Sequence, residues 1–400
     1  MSANYKTPGV YRSEIFLRPE EPFQTGVPAF VGFADVVPAA GQTPSRQPVM
    51  LFRKEEFAAK FKTPQDAYLA EAVRGFFSNG GTRCYIVPVD ATATDREAAL
   101  LAALETLAPL TDFDLVAVPD AMMLYTPTQQ TQSAFDAVLR VQRGVIMHCA
   151  AHNDRMALLD SLPARTTETV LTQRASLVTG LPDASNAAFY YPWIQVFDAD
   201  LNERDPKTRG LRYVPPSGHV AGIYARTDRS VGVYKAPANA EVLGAIDLEI
   251  AVDNQTQEQL NPQGVNCLRA FAGRGLRVWG ARTLARDNFW RYVNVRRQFL
   301  TVNRWIALFM TWSSFEPNAA RLWVRIEREL TAYLETLWRS GALKGEVRED
   351  AFYVKCDEET NPPEVRDTGE VVTEVGLALV APAEFVVVRI FHRAGTTLVG

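Results

Sequence analysis

At 400 residues, with 47% apolar and 22% charged side chains, the chain has the length for two or three domains and the composition of an ordinary folded protein with a full core. Its formal net charge of -4 argues against a general nucleic-acid binder, although local basic faces fit within a near-neutral total. No apolar run approaches the roughly 20 residues that span a bilayer. The N-terminus also lacks the charged-then-apolar pattern of an export signal, so no membrane insertion is expected and cytoplasmic synthesis and assembly is the default.

Residues 1–22 read as an extended arm. Pro8-Gly9 is followed by an alternation of Val10, Arg12 and Glu14 near Ile15 and Phe16, then by Pro19 and Pro22, with too little apolar surface to fold alone. Beyond it the pattern predicts a helix over Pro64 to Phe77, a strand over Arg83 to Val89, a helix over Arg96 to Leu107 and a strand over Phe113 to Val118. The alternation continues with a helix from Ser133 to Ala150, a strand from Arg155 to Leu159 and a helix from Thr166 to Leu177. Strands alternating with helices of this length imply an α/β layer with a largely parallel sheet. No internal repeat or low-complexity tract is present.

The C-terminal part changes character. Apolar residues recur at helical spacing from Val293 to Met310, and Glu316-Pro317-Asn318 punctuates the chain before a second helix that ends at Gly341. On a helical wheel that second helix sets Leu322, Ile326, Leu330, Tyr333 and Leu337 against Arg321, Arg325, Arg328, Glu335 and Arg339. Ala351 to Lys355 and Glu384 to Phe391 are rich in Val, Phe and Ile and read as strands, with Asn361-Pro362-Pro363 to Gly369 as a loop between elements. The fold class expected is therefore α/β and α+β, a central α/β domain plus a small helix-on-sheet C-terminal domain, with extended N- and C-terminal arms. The expected divisions are an arm at 1–22, a central domain at 23–280, a C-terminal domain at 281–391 and a tail at 392–400.

The chemistry-bearing residues point away from catalysis. There is no GxxxxGK[ST] to cradle a phosphate, and Gly273, Gly275 and Gly280 do not form GxGxxG, so they read as turn glycines. Ser217, His219 and Asp228 have the residue types of a hydrolase triad, yet Ser217 in a Pro-Pro-Ser-Gly turn gives no nucleophile elbow. His148 and His152 lie four apart on a predicted helix with Cys149 between them. No further pair completes the four ligands of a structural metal site, and a helix C-terminus already favours His. Cys84, Cys149, Cys267 and Cys356 are far apart, which indicates neither a disulfide framework nor a zinc knuckle. Asn254-Gln255-Thr256 matches a glycosylation acceptor without a secretory route to use it. No catalytic residue, metal or cofactor is expected.

Three long segments stand in order along the chain: YKTPGVYRSEI at Tyr5 to Ile15, YVPPSGHVAGIYARTDRSVGVYKAPANAEVLGAIDL at Tyr213 to Leu248, and LNPQGVNCLRAFAGRGLRVWGARTLA at Leu260 to Ala285. In that order they resemble the contractile tail sheath family of phage tails, pyocins and related injection systems. The two C-terminal helices and the VGLALVAPAEFVVVRI segment complete the series, whereas residues 41–181 match only loosely. The HCAAHNDRMALLD segment is similar to the helix-to-strand junction of that family's central domain.

The resemblance implies a structural subunit, not an enzyme. It implies a helical homo-oligomer of six-membered rings around an inner tube protein, with baseplate and terminator proteins as further partners and no nucleic acid. Neighbouring arms would exchange strands through Pro8, Gly9, Val10, Tyr11 and Ile15 at one end and Phe385, Val386, Val387, Val388 and Ile390 at the other. The C-terminal domain would face the tube through Arg321, Arg325, Arg328 and Arg339; the residue pattern alone equally suits a solvated helix face. Contraction would then draw on energy stored in the extended assembly, with no nucleotide. The alternatives are a specialised sheath variant at the baseplate or sheath terminus, and an α/β enzyme. A phage and an injection system are not distinguished by these residues.

Overall fold

A computed structural model of the chain describes residues 23–37, 46–125 and 130–384. The strand-exchange residues Pro8, Gly9, Val10, Tyr11, Ile15, Phe385, Val386, Val387, Val388 and Ile390 lie outside the described residues.

Among the described residues the centre is a nine-stranded sheet. Its strands in chain order are β1 (Pro28–Phe33), β2 (Val49–Leu51), β3 (Cys84–Val89), β4 (Leu115–Ala117), β5 (Met156–Asp160), β6 (Ala187–Tyr191), β7 (Ala240–Glu241), β8 (Val265–Phe271) and β9 (Gly275–Trp279). The spatial order is β7-β9-β8-β6-β5-β4-β1-β3-β2. From β8 through to β3 every pairing is parallel, and antiparallel strands close both edges. The predicted alternation of strands and helices is the physical cause, because parallel neighbours require a crossover that returns the chain to the same end of the sheet.

Parallel strands are covered on both faces, and their side chains divide accordingly. On one face Ala29, Val31, Phe33, Val116, Ala157 and Leu159 pack under helices α2 (Arg96–Glu105), α3 (Gln132–His152) and α4 (Thr167–Val178). On the other, Phe30, Ile86, Leu115, Leu158 and Tyr190 pack under α1 (Leu69–Ser78) and α5 (Ser217–Ser230). These last two helices touch almost backbone to backbone. A Cβ on Gly218 would sit 2.3 Å from the Ala72 Cα, and one on Gly222 would sit 2.4 Å from the Phe76 carbonyl oxygen.

The ends of some elements are set from far away in sequence. Helix α1 begins at Leu69, not near Pro64, because the Asp120 carboxylate accepts from Tyr68 N (2.5 Å) and Leu69 N (3.0 Å). By contrast α3 carries its own signals, with Thr131 capping the first turn and Asn153 in the left-handed conformation after the last. Ser217 opens helix α5 instead of lying in a turn. A three-stranded sheet formed by Ile194–Phe197, Leu211–Val214 and Ala245–Leu248 extends the central part, beyond what the sequence pattern predicts.

Helices α6 (Val293–Phe309) and α7 (Ala320–Arg339) follow the central sheet, close to the predicted bounds. Strand β10 (Phe352–Lys355) then pairs antiparallel with β11 (Glu374–Leu377), so a small helix-on-sheet unit forms. Of the strand expected over Glu384 to Phe391 only Glu384 lies among the described residues, where it is not in a strand; β11 itself has no counterpart among the expected elements. Gly376 hides it, being a residue depleted in strands; here it makes room for the Tyr353 ring, which a Cβ would approach to 2.1 Å. A short helix at Pro363–Asp367 likewise interrupts the stretch expected to be loop.

Candidate functional site

Helix α7 presents its basic residues outward. Arg321, Arg325, Arg328 and Arg339 are all exposed, while Leu322, Trp323, Ile326, Leu330 and Leu334 are buried. The buried stripe is shifted slightly from the predicted one: Tyr333 and Leu337 are half-buried, and Tyr333 stacks on Trp305 with ring centroids 3.7 Å apart. Arg328 pairs with Glu329 at 2.9 Å, Arg339 with Glu335, and the Arg325 guanidinium lies 3.8 Å from the Trp312 ring centroid. Arg321, Arg325 and Arg328 together with exposed Val324 line one shallow surface groove.

Helix α6 joins this unit to the central domain through arginines. Val293, Arg297, Leu300 and Arg304 recur at helical spacing, and all four are buried. The Arg297 guanidinium donates to both Asp228 carboxylate oxygens (2.8 and 2.6 Å) and to Asp114 (2.9 Å). Asp114 also accepts from Gly26 N and Val27 N at the entrance to β1. Arg296 donates to Asn186 (2.6 Å) and Asn153 (2.9 Å) and lies over the Trp290 ring. Arg304 donates to the Gln24 carbonyl and covers Phe23. On the far side Val302 joins Leu334, Leu343 and Phe352 in the C-terminal core. Sequence reasoning misses Arg297, Asp228 and Asp114 as a group; the legible signal is a pair of arginines on the apolar stripe of α6.

The residues weighed for chemistry do not converge on one site. Asp228 is held by Arg297, Ser217 N donates to Asp160 at 2.8 Å, and the His219 ring packs against Gly75, where a Cβ would lie 2.2 Å from its Nδ1. Burial, reinforced by Arg74, lowers the His219 pKa to about 4. The His148 and His152 rings do lie together, tilted with centroids 4.3 Å apart, but His148 Nε2 faces the buried Arg155 guanidinium at 3.2 Å, a cation where a metal would have to sit. Burial and that guanidinium lower His148 to about 4 as well. All four cysteines are buried as free thiols.

Asp160 carries a testable titration. Burial under α5 raises its pKa to about 7, opposed by hydrogen bonding from Ser217. A carboxyl whose folded pKa is raised favours the folded state most below its unfolded value, and that advantage is lost as pH rises through the folded one. The Asp160 contribution to stability should therefore fall between pH 5 and pH 8 by about 1–4 kcal/mol, against an opposite trend from buried His148 and His219, so the check compares urea midpoints of the parent with those of Asp160→Asn. Asp160→Asn should flatten the profile, with Glu71, also raised by burial to about 7, keeping part of the slope.

Comparison with known proteins decides what this arrangement belongs to. Residues 91–284 match the phage tail sheath protein central domain and residues 285–393 the phage tail sheath C-terminal domain. The chain belongs to the contractile tail sheath family. Among curated relatives of this sheath chain is the tail sheath protein of Vibrio phage KVP40, 28% identical over 168 residues, which are 41% of this chain and 24% of that protein. The chain thus spans about a quarter of that relative's length. Among solved structures, the anti-feeding prophage baseplate contains a chain with a TM-score of 0.75 and 28% identity, covering 98% of this chain and 100% of that one. The helical sheath of the same particle in its contracted state matches with a TM-score of 0.74 and 28% identity, over 97% and 100%. The two family matches meet at Leu284 and Ala285, in the connection from β9 to α6.

Proposed function

We propose that this sheath chain polymerises as six-membered rings around an inner tube and contracts to drive that tube through a target envelope, with energy stored in the extended assembly and no catalysis. The observation that carries the reading is the near full-length match to a contracted helical sheath. The related baseplate assembly is six-fold symmetrised, which supports six copies per ring. In this reading 23–280 is the central domain, 281–391 the tube-facing domain, 1–22 an arm and 392–400 a tail. Subunits assemble in the producing cell's cytoplasm and meet baseplate and terminator proteins at the two ends of the sleeve.

Pro8, Gly9, Val10, Tyr11 and Ile15 of one copy and Phe385, Val386, Val387, Val388 and Ile390 of another add strands to a neighbour's C-terminal sheet. Among the described residues β10–β11 is a two-stranded sheet, which supports this, because two strands alone are marginal in water and a third or fourth stabilises them. Arg321, Arg325, Arg328 and Arg339 face the tube. A second reading, a variant specialised for the baseplate, is favoured by the baseplate match, whose TM-score of 0.75 stands beside 0.74 for the sheath.

Electron microscopy of the purified protein with and without tube protein separates the readings: sleeves for the main sheath, single rings for a baseplate variant, monodisperse particles for neither. Reversing Arg321, Arg325 and Arg328 to Glu should weaken tube binding by about 1 kcal/mol or less per lost contact, in a salt-dependent way. Unchanged tube binding at low salt would remove these arginines from the interface.

A further inference from the structure

The segments that carry the family resemblance converge on one carboxylate, and this convergence has no part in the functions above. After β11 the chain leaves the C-terminal sheet. Ala378 still pairs with Ala351 and Lys344, the carbonyl of Val380 accepts from Asn294 on α6 (2.9 Å), and Glu384 then reaches the segment that follows β9. There Arg282 donates to both of its oxygens, Nε to Oε1 at 2.8 Å and Nη2 to Oε2 at 2.5 Å. Asn261 Nδ2 donates to Oε1 at 2.8 Å and the Tyr292 hydroxyl to Oε2 at 3.2 Å.

The receiving side is rigidly built. Asn266, fully buried on β8, fixes the Arg282 backbone from both sides: its Oδ1 accepts from Arg282 N and its Nδ2 donates to Arg282 O, each at 2.7 Å. Gly280 lets that asparagine approach, since a Cβ there would lie 2.9 Å from it. The Arg282 guanidinium is further held by the Asn261 carbonyl at 3.1 Å. A bidentate Arg–carboxylate pair with a preset arginine fixes direction as well as position.

We infer that Arg282, positioned by Asn266 and assisted by Asn261 and Tyr292, is a clamp for Glu384 that fixes beside β8 the point from which the C-terminal strand departs toward its neighbour. Phe385 follows Glu384 directly, so no slack separates the clamp from the exchanging strand. The inference rests on the strand-exchange reading and adds the residues that set its geometry. Its physical basis is preorganisation: a strand released from a fixed point loses less freedom on pairing than one released from a wandering segment. The clamp also ties the strand's root to β8, through Asn266, and not to the sheet it has just left, so a load on the exchanged strand passes into β8 and β9.

The test uses the full chain produced together with the rest of its particle, counting sheathed particles by electron microscopy. Arg282→Ala and Glu384→Gln should each give a folded subunit, by circular dichroism and melting, but reduce sheathed particles by about tenfold. The double charge swap Arg282→Glu with Glu384→Arg should restore them in part, a rescue that a simple loss of packing would not show. Deleting residues 385–400 separates the two levels of the argument. If the deletion abolishes sheaths while both single variants assemble like the parent, the clamp is wrong and strand exchange stands. If the deletion leaves sheaths intact, strand exchange fails, and the clamp's purpose with it.

Discussion

Replacing Arg297 with Met is expected to destabilise the subunit by about 3–5 kcal/mol, the cost of leaving buried charge uncompensated. Arg297 is 2% exposed, and both carboxylates it holds, Asp228 and Asp114, are buried with it. Burial works against its own charge, but Asp228 and Asp114 outweigh that and hold its pKa above the usual range. The group binds four elements at one point: α6 through Arg297, α5 through Asp228, the start of β4 through Asp114, and the approach to β1 through Gly26 and Val27. Tyr224, whose hydroxyl is 2.7 Å from that of Tyr190, lies under the guanidinium and closes the cluster against the sheet.

With Met at 297 Asp228 loses its counter-charge, and burial, which already raises its pKa, acts without that opposition. By the same sign argument as for Asp160, the folded variant then binds protons that the unfolded chain releases, so its deficit should shrink as pH falls from 8 toward 5. Urea denaturation of parent and variant at both pH values checks this, because the difference between the two proteins cancels the titration of Asp160. A deficit below about 1 kcal/mol at pH 8 would show that the cluster is a local convenience and not the joint between the two domains.

The same cluster shows where sequence reasoning reaches its limit. Helix α6 is legible to within a residue, since its apolar spacing is regular and a helix of that length has few alternatives. That Arg297 and Arg304 lie on the buried stripe is equally present in the periodicity. It escapes notice because arginine is ordinarily a surface residue, and its partners Asp114 and Asp228 lie 183 and 69 positions away. Helix α1 makes the same point about boundaries, as its cap comes from Asp120, some fifty residues on. Strands β3 and β5, which alternate with helices and are buried on both faces, are readable as continuous apolar runs. Strand β11 is not, because a four-residue strand with a central glycine has no signal of its own until Tyr353 is seen to need the space. On α7 the helical spacing alone puts every one of the four arginines on the outside, where the structure has them. Exposure is a property of one chain, however, whereas a tube contact is a property of two.

Deleting residues 1–16 is expected to leave a folded subunit that does not form sleeves, the largest functional effect proposed for any change in this chain. The nine-stranded sheet, its two helical layers and the joint at Arg297 are built from residues among 23–384. Melting temperature and circular dichroism should therefore stay close to those of the parent. Assembly should not, because each exchanged strand contributes several main-chain hydrogen bonds, each about 0.5–1.5 kcal/mol net, and removing one arm opens every ring-to-ring seam at once. In the proposed mesh the joints would be strands, which would rotate at their roots while their hydrogen bonds persist, so domains would re-pack during contraction without the polymer dissolving. Long sleeves assembled from the truncated protein, seen by electron microscopy at the parent's concentration, would show that face-to-face packing of the central domains is sufficient and that the N-terminal arm does not weave.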